Sequence, residues 1–262
     1  MLGDAPLGER IEAALANCFR GLTVRPDDLQ ALAADGSDRR DVFDRARDGG
    51  LEHFIVEALT SWYEHAPPPA WFTSAAFTID DHVRVAEAVG AEHANVVAPF
   101  PTDEPTGSLT ERFAVICDRF AEVGVAVHLE FAPLPPIGSL ATAWEIVRGA
   151  DRANGGILFD TWHFFRGQPD LELLAEIPGE RIFSVQVSDG AAEIRESLVK
   201  DTYRHRMLPG EGVFDLAGVI ATLRATGGLR LVGPEVLSIE LARLSSSDAA
   251  GRAGDALDAI MG

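Results

Sequence analysis

The sequence predicts an α/β protein built as a (β/α)8 TIM barrel whose first strand is missing or truncated. Apolar runs typical of buried parallel strands alternate with segments of helical periodicity along the whole chain. Seven strand and helix pairs follow one another without linkers or low-complexity segments, one pair short of a complete barrel. The chain of 262 residues also has the usual length of one barrel. We therefore predict a single domain over residues 1–262.

The N-terminal part of the chain begins on a helix rather than on a strand. The predicted elements are a helix over 9–17, a strand over 19–25, a helix over 38–48 capped by Ser37, a strand over 51–59 and an aromatic, proline-rich loop through Trp62 and Trp71. Either the native protein begins before this sequence, or residues 1–7 are an irregular remnant of the first strand. Two strands should then have unpaired edges, which a second copy in a homo-oligomer would cover.

The rest of the chain continues the alternation of helix and strand. It predicts helices over 79–89, 108–123 and 139–150, each followed by a strand, over 94–98, 125–131 and 157–159. A short helix over 171–175, a strand over 182–187, a helix over 214–225, a strand over 229–236 and a helix over 247–260 complete it. The polar loop over 188–212 exceeds the usual connection length, which predicts a lid or a binding loop.

Composition excludes several classes of function. The net charge of −19 opposes binding to a nucleic acid, which requires a basic surface. No apolar run approaches the length of about 20 residues that a membrane helix requires, and the N-terminus lacks a secretory signal. Cys18 and Cys117 have no metal-type spacing, which favours buried free thiols in the cytoplasm. Lys200 is the only lysine and lies in a polar loop, so Schiff-base chemistry is disfavoured.

The segment over 156–167 is the first candidate for a functional site. Its apolar run ends at Asp160, and His163 follows three residues later. A parallel strand that ends on aspartate points that carboxylate above the sheet. The alternative is that Asp160 only caps a following helix and that His163 is a packed loop histidine.

Three further strands of the second half end on oxygen-bearing side chains, those of Glu130, Gln186 and Glu235. The carboxyl ends of barrel strands open on one face, so these side chains should converge with Asp160. Three carboxylates and one amide oxygen are hard ligands that suit Mn²⁺, Mg²⁺ or a similar divalent ion. The alternative is that each of them caps a helix or pairs with an arginine.

These strand ends resemble a known family. The similarity covers nearly the whole chain after Glu9 and rests on five segments, 128–130 (His-Leu-Glu), 159–163 (Phe-Asp-Thr-Trp-His), 185–189 (Val-Gln-Val-Ser-Asp), 206–212 (Arg-Met-Leu-Pro-Gly-Glu-Gly) and 234–236 (Pro-Glu-Val). They resemble the xylose isomerase-like TIM barrels of the sugar phosphate isomerase/epimerase type. The resemblance implies that Glu130, Asp160, Gln186 and Glu235 bind one divalent metal ion. Mn²⁺ is the first candidate, and Mg²⁺, Co²⁺ and Zn²⁺ are alternatives.

The resemblance also implies that His163 and Arg206 contact a small polyhydroxy substrate. A metal bound to the substrate oxygens would stabilise an enediolate, with Glu130 and Glu235 as base and acid and His163 moving a proton. We hypothesise an isomerase or epimerase of a small sugar or polyhydroxy carbonyl compound. The fate of the enediolate stays open, since loss of a β-hydroxyl would instead give dehydration.

Gln186 departs from the epimerase pattern, which usually has histidine there, and is similar to the 3-dehydroshikimate dehydratase branch. A metal-dependent dehydratase is therefore the alternative, and a non-catalytic barrel that serves as a binding or partner subunit is the rival from another class. Three further residues are candidates for substrate contact. His128 shares a strand face with Glu130, although a packed core histidine is an equal alternative. Trp162 and His205 are the other two, and Arg204 competes with Arg206 for its role.

Overall fold

The computed structural model describes residues 5–65, 67–68 and 73–262. Trp71 and the first four residues, on which two of the expectations above fall, lie outside this part of the chain. The described elements are, in order, α1 Leu7–Ala16, β1 Gly21–Val24, α2 Pro26–Asp35, α3 Arg39–Asp48, β2 His53–Leu59, α4 Ile79–Val89, β3 His93–Val97, α5 Thr106–Ala121, β4 Ala126–Glu130, α6 Leu140–Ala150, β5 Gly155–Asp160, α7 Thr161–Arg166, α8 Leu171–Glu176, β6 Ile182–Val187, α9 Leu198–Arg204, α10 Leu216–Thr226, β7 Val232–Pro234 and α11 Ser246–Met261. Single 3-10 turns cover Thr73–Ala76, Gly179–Arg181 and Leu241–Arg243.

The seven strands form one parallel sheet in the order of the sequence, from β1 to β7. The sheet curls into a barrel whose outer face is covered by the helices, which confirms the predicted TIM barrel that lacks a strand. Within the described residues, β1 pairs only with β2 and β7 only with β6, so each has one unpaired edge. In the described part of the chain, no helix combines the length and the apolar character needed to cross a bilayer.

The strand β5, in the middle part of the sheet, is buried along its whole length. All six residues of β5 are buried, and Ile157, Leu158 and Phe159 are each at most 2% exposed. Each such side chain stabilises the fold by about 1.5–3 kcal/mol through removal of its apolar surface from water. The strand is therefore flanked by neighbours on both sides and packed on both faces, as its apolar sequence predicts.

Three helices were absent from the prediction. Pro26 directly follows the strand predicted over 19–25, and it is the first residue of α2, where proline lacks an N–H that the helix would not use. Helix α7 follows Asp160 directly, and α9 lies inside the long loop. The last strand is shorter than predicted, because only Val232–Pro234 pairs with β6. Asp38 rather than Ser37 caps α3, since its carboxylate accepts from the Arg40 N–H.

The two cysteines differ in their environment. Cys117 is a buried free thiol on α5, as predicted, and burial raises its pKa to about 12. Cys18 is also free, but it is exposed in the turn after α1, so the expectation of burial was wrong there. Its backbone has a positive φ of 58°, which places it in a tight reversal at the surface rather than in the apolar pattern of the helix.

The N-terminal end of the barrel is closed by the ring of Phe183. This ring lies over His128 and His93, with centroid distances of 5.7 Å and 6.3 Å. Gly156 on the neighbouring strand leaves the space for it, because a Cβ atom there would lie 2.7 Å from three ring carbons of Phe183. A glycine is therefore required on β5 so that an aromatic ring on β6 can fill the bottom of the barrel.

We expect Gly156→Ala to destabilise the protein by about 1–3 kcal/mol, because the added methyl group must displace the Phe183 ring in a packed interior. Urea unfolding followed by circular dichroism measures the change. Gly107→Ala is the matched control, since a Cβ at position 107 has no atom within 4 Å and lies in the first turn of α5. Equal midpoints for the two variants would contradict the assigned role of Gly156.

Candidate metal and active site

The register of the sheet brings the predicted ligands to one end of the barrel. Glu130 is the last residue of β4 and Asp160 the last of β5. Asp160 is paired with Gln186 across β5 and β6, and Gln186 is paired with Gly233 across β6 and β7. Glu235 follows β7 immediately. The prediction that these side chains share the carboxyl end of the strands is therefore met by the backbone register.

Glu130, Asp160 and His163 form a buried cluster at this end. One ligand atom of each lies within 4.8 Å of the others. The His163 Nε2 atom is 3.3 Å from Glu130 Oε1 and 4.0 Å from Asp160 Oδ2. Two carboxylates and an imidazole at such distances can hold a divalent cation.

Asp160 caps the helix that follows it and pairs with an arginine, the two roles given above as alternatives to metal binding. Its Oδ1 accepts a hydrogen bond of 3.0 Å from the His163 backbone N–H and caps α7. Its Oδ2 accepts one of 2.7 Å from Arg206 Nη1. Burial works to raise the pKa of Asp160, but the charges of Arg206 and His163 outweigh it and lower the pKa to about 2. The carboxylate is thus held ionised inside the barrel.

Arg206 links two of the predicted ligands. Its Nη1 atom also donates to Glu235 Oε2 at 2.8 Å and to the Glu235 carbonyl at 3.2 Å, and its Nε donates to the Thr202 carbonyl at 3.0 Å. The residue is only 3% exposed. Burial works to lower the pKa of Arg206, but the carboxylates of Asp160 and Glu235 outweigh burial, so the pKa lies above its ordinary value. This guanidinium is therefore a fixed internal positive charge.

Gln186 and Glu235 complete the set of oxygen donors. Gln186 Nε2 donates to Glu235 Oε1 at 3.3 Å, and the carbonyl oxygen of the Gln186 side chain is buried without a hydrogen-bond partner. Burial raises the pKa of Glu235 well above its ordinary value, and the negative charges of Asp160 and Glu130 add to this, although Arg206 opposes it. Arg206 contacts Glu235 on one side only. Among the described residues, no other positively charged side chain pairs with Gln186 or Glu235.

These observations fit a divalent cation. Glu130, Asp160 and Glu235 carry three negative charges when ionised, and Arg206 neutralises one of them. The remaining charge of about −2 equals that of one divalent ion with opposite sign. The unpartnered oxygen of Gln186 is a hard donor of the type such an ion prefers. His163 also has a buried Nδ1 atom without a partner.

Of the other predicted substrate contacts, His128 and His205 have partners outside this cluster, whereas the Trp162 ring lies 5.7 Å from the guanidinium carbon of Arg206. His128 is buried in the layer below Glu130, where its Nε2 lies 2.7 Å from His93 Nδ1 and its Nδ1 lies 2.8 Å from Ser184 Oγ. The Trp162 side chain is fully buried, and its N–H donates to Thr202 Oγ1 at 3.2 Å. The His205 ring is bound to Glu196 at 2.9 Å. All three have protein partners, and their contact with a substrate stays a prediction.

The long loop is tied to the barrel by Asp189, a buried residue that follows β6. Its carboxylate accepts hydrogen bonds from the N–H groups of Gly190 at 2.8 Å, Phe214 at 3.0 Å and Gly210 at 3.1 Å. A Cβ atom at Gly212 would lie 2.3 Å from Asp189 Oδ1, which explains the second glycine of the Pro-Gly-Glu-Gly segment. Asp189 and Met207 also exchange two backbone hydrogen bonds.

Sequence reasoning missed two polar residues beside the cluster. Asn95 Nδ2 donates to Glu130 Oε2 at 2.7 Å, and Glu57 lies on β2. Both line a cavity of about 450 Å³ that extends from the edge strands β1 and β7 to Gln186 and Glu235. Side chains alternate between the two faces of a strand, and this alternation along β2 and β3 could have located both residues. Glu57 and Asn95 are two residues beyond Ile55 and His93 on the inward faces of these strands.

The fold and the site define a TIM barrel with a metal-type donor cluster at the carboxyl ends of its strands. The sequence pattern of the family described as xylose isomerase-like TIM barrel matches residues 11–260. The chain therefore belongs to that family, as its strand-end motifs predicted.

Relatives within the family are enzymes with different reactions. The chain is 32% identical over 233 residues to a 3-dehydroshikimate dehydratase of Pseudomonas aeruginosa, an alignment that covers 84% of this chain and 34% of the relative. The chain thus spans about a third of that relative's length. It is 28% identical over 143 residues to an inosose isomerase of Bacillus licheniformis, covering 54% of this chain and 50% of the relative.

Solved structures with the same fold are similar over nearly the whole chain. The IolI protein with a bound zinc atom matches with a TM-score of 0.84 at 18% identity, covering 99% of this chain and 94% of that one. A D-psicose 3-epimerase from Clostridium cellulolyticum, solved with D-tagatose, matches with a TM-score of 0.71 at 14% identity, covering 98% and 93%. At these identities the similarity establishes the fold alone.

Proposed function

We propose that this protein is a divalent-metal-dependent enzyme that removes the proton beside the carbonyl of a small polyhydroxy ketone, with dehydration as the overall reaction. The observation that carries the proposal is the set of two buried carboxylates and one half-buried carboxylate, with one guanidinium and one unpartnered amide oxygen, at the carboxyl end of the strands. The metal would be held by Glu130, Asp160, Gln186 and Glu235. When bound, it would polarise the substrate carbonyl as a Lewis acid.

Glu130 is the base in this proposal. The Asn95 amide fixes one of its oxygens, Oε2, and leaves Oε1 toward His163. A carboxylate held in this way can take a proton from the carbon next to a carbonyl without first losing a hydration shell. His163 lies close enough to orient the substrate oxygen or to pass the proton on.

Glu235 is the acid in this proposal, on the β7 side of the barrel mouth. In its protonated form it would donate its own proton to the leaving hydroxyl, so that the C–O bond breaks and water is released. Glu235 is then left as a carboxylate, and Glu130 keeps the proton taken from carbon. Arg206, which holds Glu235 Oε2 and Asp160 Oδ2, fixes the position of both carboxylates and provides a donor for a substrate oxygen.

Dehydration is placed first because the similarity to the 3-dehydroshikimate dehydratase extends over 84% of this chain. Gln186 supports the same choice, since it occupies the position that usually holds histidine in the epimerase pattern. Isomerisation or epimerisation of a small sugar or polyhydroxy carbonyl compound is the second candidate. Four inosose isomerases support it with similarity over 48–61% of this chain. In that case the proton would return to carbon.

The test uses the full chain loaded with Mn²⁺ and, in parallel, treated with a chelator. Metal analysis should give one divalent ion per chain. We expect 3-dehydroshikimate to give an aromatic product, followed by its ultraviolet absorbance, and the reaction to stop without metal. Deuterium uptake next to the carbonyl of inosose or a ketose in D₂O, without loss of water, would favour the second candidate. The absence of metal, product and exchange would overturn both and favour a non-catalytic binding subunit.

A further inference from the structure

Asn95 presents an unused hydrogen-bond acceptor to the barrel cavity. Its side chain is only 2% exposed, and its NH₂ group donates to Glu130 Oε2. A carboxylate can only accept there, so the amide orientation is fixed and the carbonyl oxygen must point elsewhere. That oxygen is buried and has no hydrogen-bond partner. A buried acceptor without a donor is costly, which indicates that a donor arrives from outside the protein.

Glu57 is the neighbouring acceptor on β2. It lines the same cavity, and the Thr23 side chain forms a hydrogen bond with its carboxyl group. Burial raises the pKa of Glu57, the Thr23 hydrogen bond opposes this, and the charge of Glu130 adds to the rise. In either protonation state the carboxyl group retains an oxygen that accepts a hydrogen bond from an O–H group.

The cavity has the size and position to contain a substrate. Its volume of about 450 Å³ lies within the range of small-molecule sites, roughly 300–1,000 Å³. It reaches Gln186 and Glu235 on one side and Glu57 and Asn95 on the other. A ring whose carbonyl lies toward the metal ligands therefore directs its remaining substituents toward β2 and β3.

We propose that Glu57 and Asn95 form a subsite that binds hydroxyl groups of the substrate ring. The amide oxygen of Asn95, which has no donor, and the carboxyl group of Glu57 in the same cavity match hydroxyl groups. The subsite rests on the proposed function in so far as it takes a hydroxylated ring to be the occupant of the cavity.

The test measures binding without turnover. Shikimate and myo-inositol carry ring hydroxyls but no carbonyl, so they serve as inert probes for isothermal titration of the metal-loaded protein. We expect Glu57→Met, which keeps the side-chain length but accepts no hydrogen bond, to weaken binding of the better probe about tenfold. Glu57→Gln, which retains an oxygen, should stay within about threefold of the wild type. Glu87→Met, at an exposed glutamate on α4 outside the cavity, is the control and should bind as the wild type does.

Metal content and thermal unfolding are measured on each variant, and Glu57→Leu replaces the methionine variant should the latter not fold. Unchanged binding in the apolar variants, equal losses in Glu57→Gln and Glu57→Met, or no binding of either probe to the wild type would overturn the subsite. Failure of the proposed reaction is seen separately, because the wild type would then bind a probe in a Glu57-dependent way but convert neither 3-dehydroshikimate nor inosose.

Discussion

Replacing Arg206 with methionine should destabilise the metal-free protein by about 3–5 kcal/mol, the usual cost of leaving buried charges without their partner. Asp160 and Glu235 both lose the guanidinium that binds them at 2.7 Å and 2.8 Å. A divalent ion that binds only the folded state should restore part of this stability. Urea unfolding with a chelator and with Mn²⁺ measures both quantities.

Arg230→Met is the control for this prediction, because that guanidinium is exposed and its Nε donates only to the Gly227 carbonyl. Similar midpoints for the two variants in the chelator would contradict the bridging role of Arg206. The pH dependence provides a second check on the wild type. Since the pKa of Glu235 is raised in the folded state, this carboxyl group binds more protons folded than unfolded, and its contribution to the stability of the metal-free protein should fall as the pH rises above about 4.5.

Glu130→Gln should lower kcat by about 10²–10⁴-fold, the contribution of a general base, while the fold is kept. The substitution keeps the size of the side chain but removes the charge that accepts the substrate proton. The reaction is followed at saturating Mn²⁺ with 3-dehydroshikimate or the substrate found in the proposed assay, and metal content is determined alongside. Glu111→Gln, on the exposed side of α5, is the matched control. A kcat within tenfold of the wild type at full metal occupancy would exclude Glu130 as the base.

The sequence predicted most accurately those elements whose own pattern of residues is enough to identify them. The strand ending at Asp160 is a buried apolar run, and the pattern alone located it. Pro26 was misleading because proline both ends strands and begins helices, and only packing of α2 against the barrel decides between them. Helix α9 was hidden inside the polar loop, where Ser197 caps it but little apolar periodicity marks it.

The sequence predicted the part of the candidate site that lies at the ends of the strands. The rule that barrel strands open on one face located Glu130, Asp160, Gln186 and Glu235 together. The bridging position of Arg206 was not predictable, since it depends on how the loop after β6 folds back on the rim. Nor does a sequence indicate that a histidine such as His128 is satisfied by its neighbours, because those neighbours, His93 and Ser184, come from other strands.

Asp189 anchors the long loop, and this reduces the entropy that is lost when a ligand binds. The loop was predicted as a lid or a binding loop, and its base is held by three N–H groups on one carboxylate and by the backbone pairing of Asp189 with Met207. Arg206, the residue before Met207, donates its backbone N–H to the Leu237 carbonyl at 3.2 Å. Its backbone is thus immobilised before any ligand arrives, so the ordering cost is met during folding rather than at each encounter with substrate.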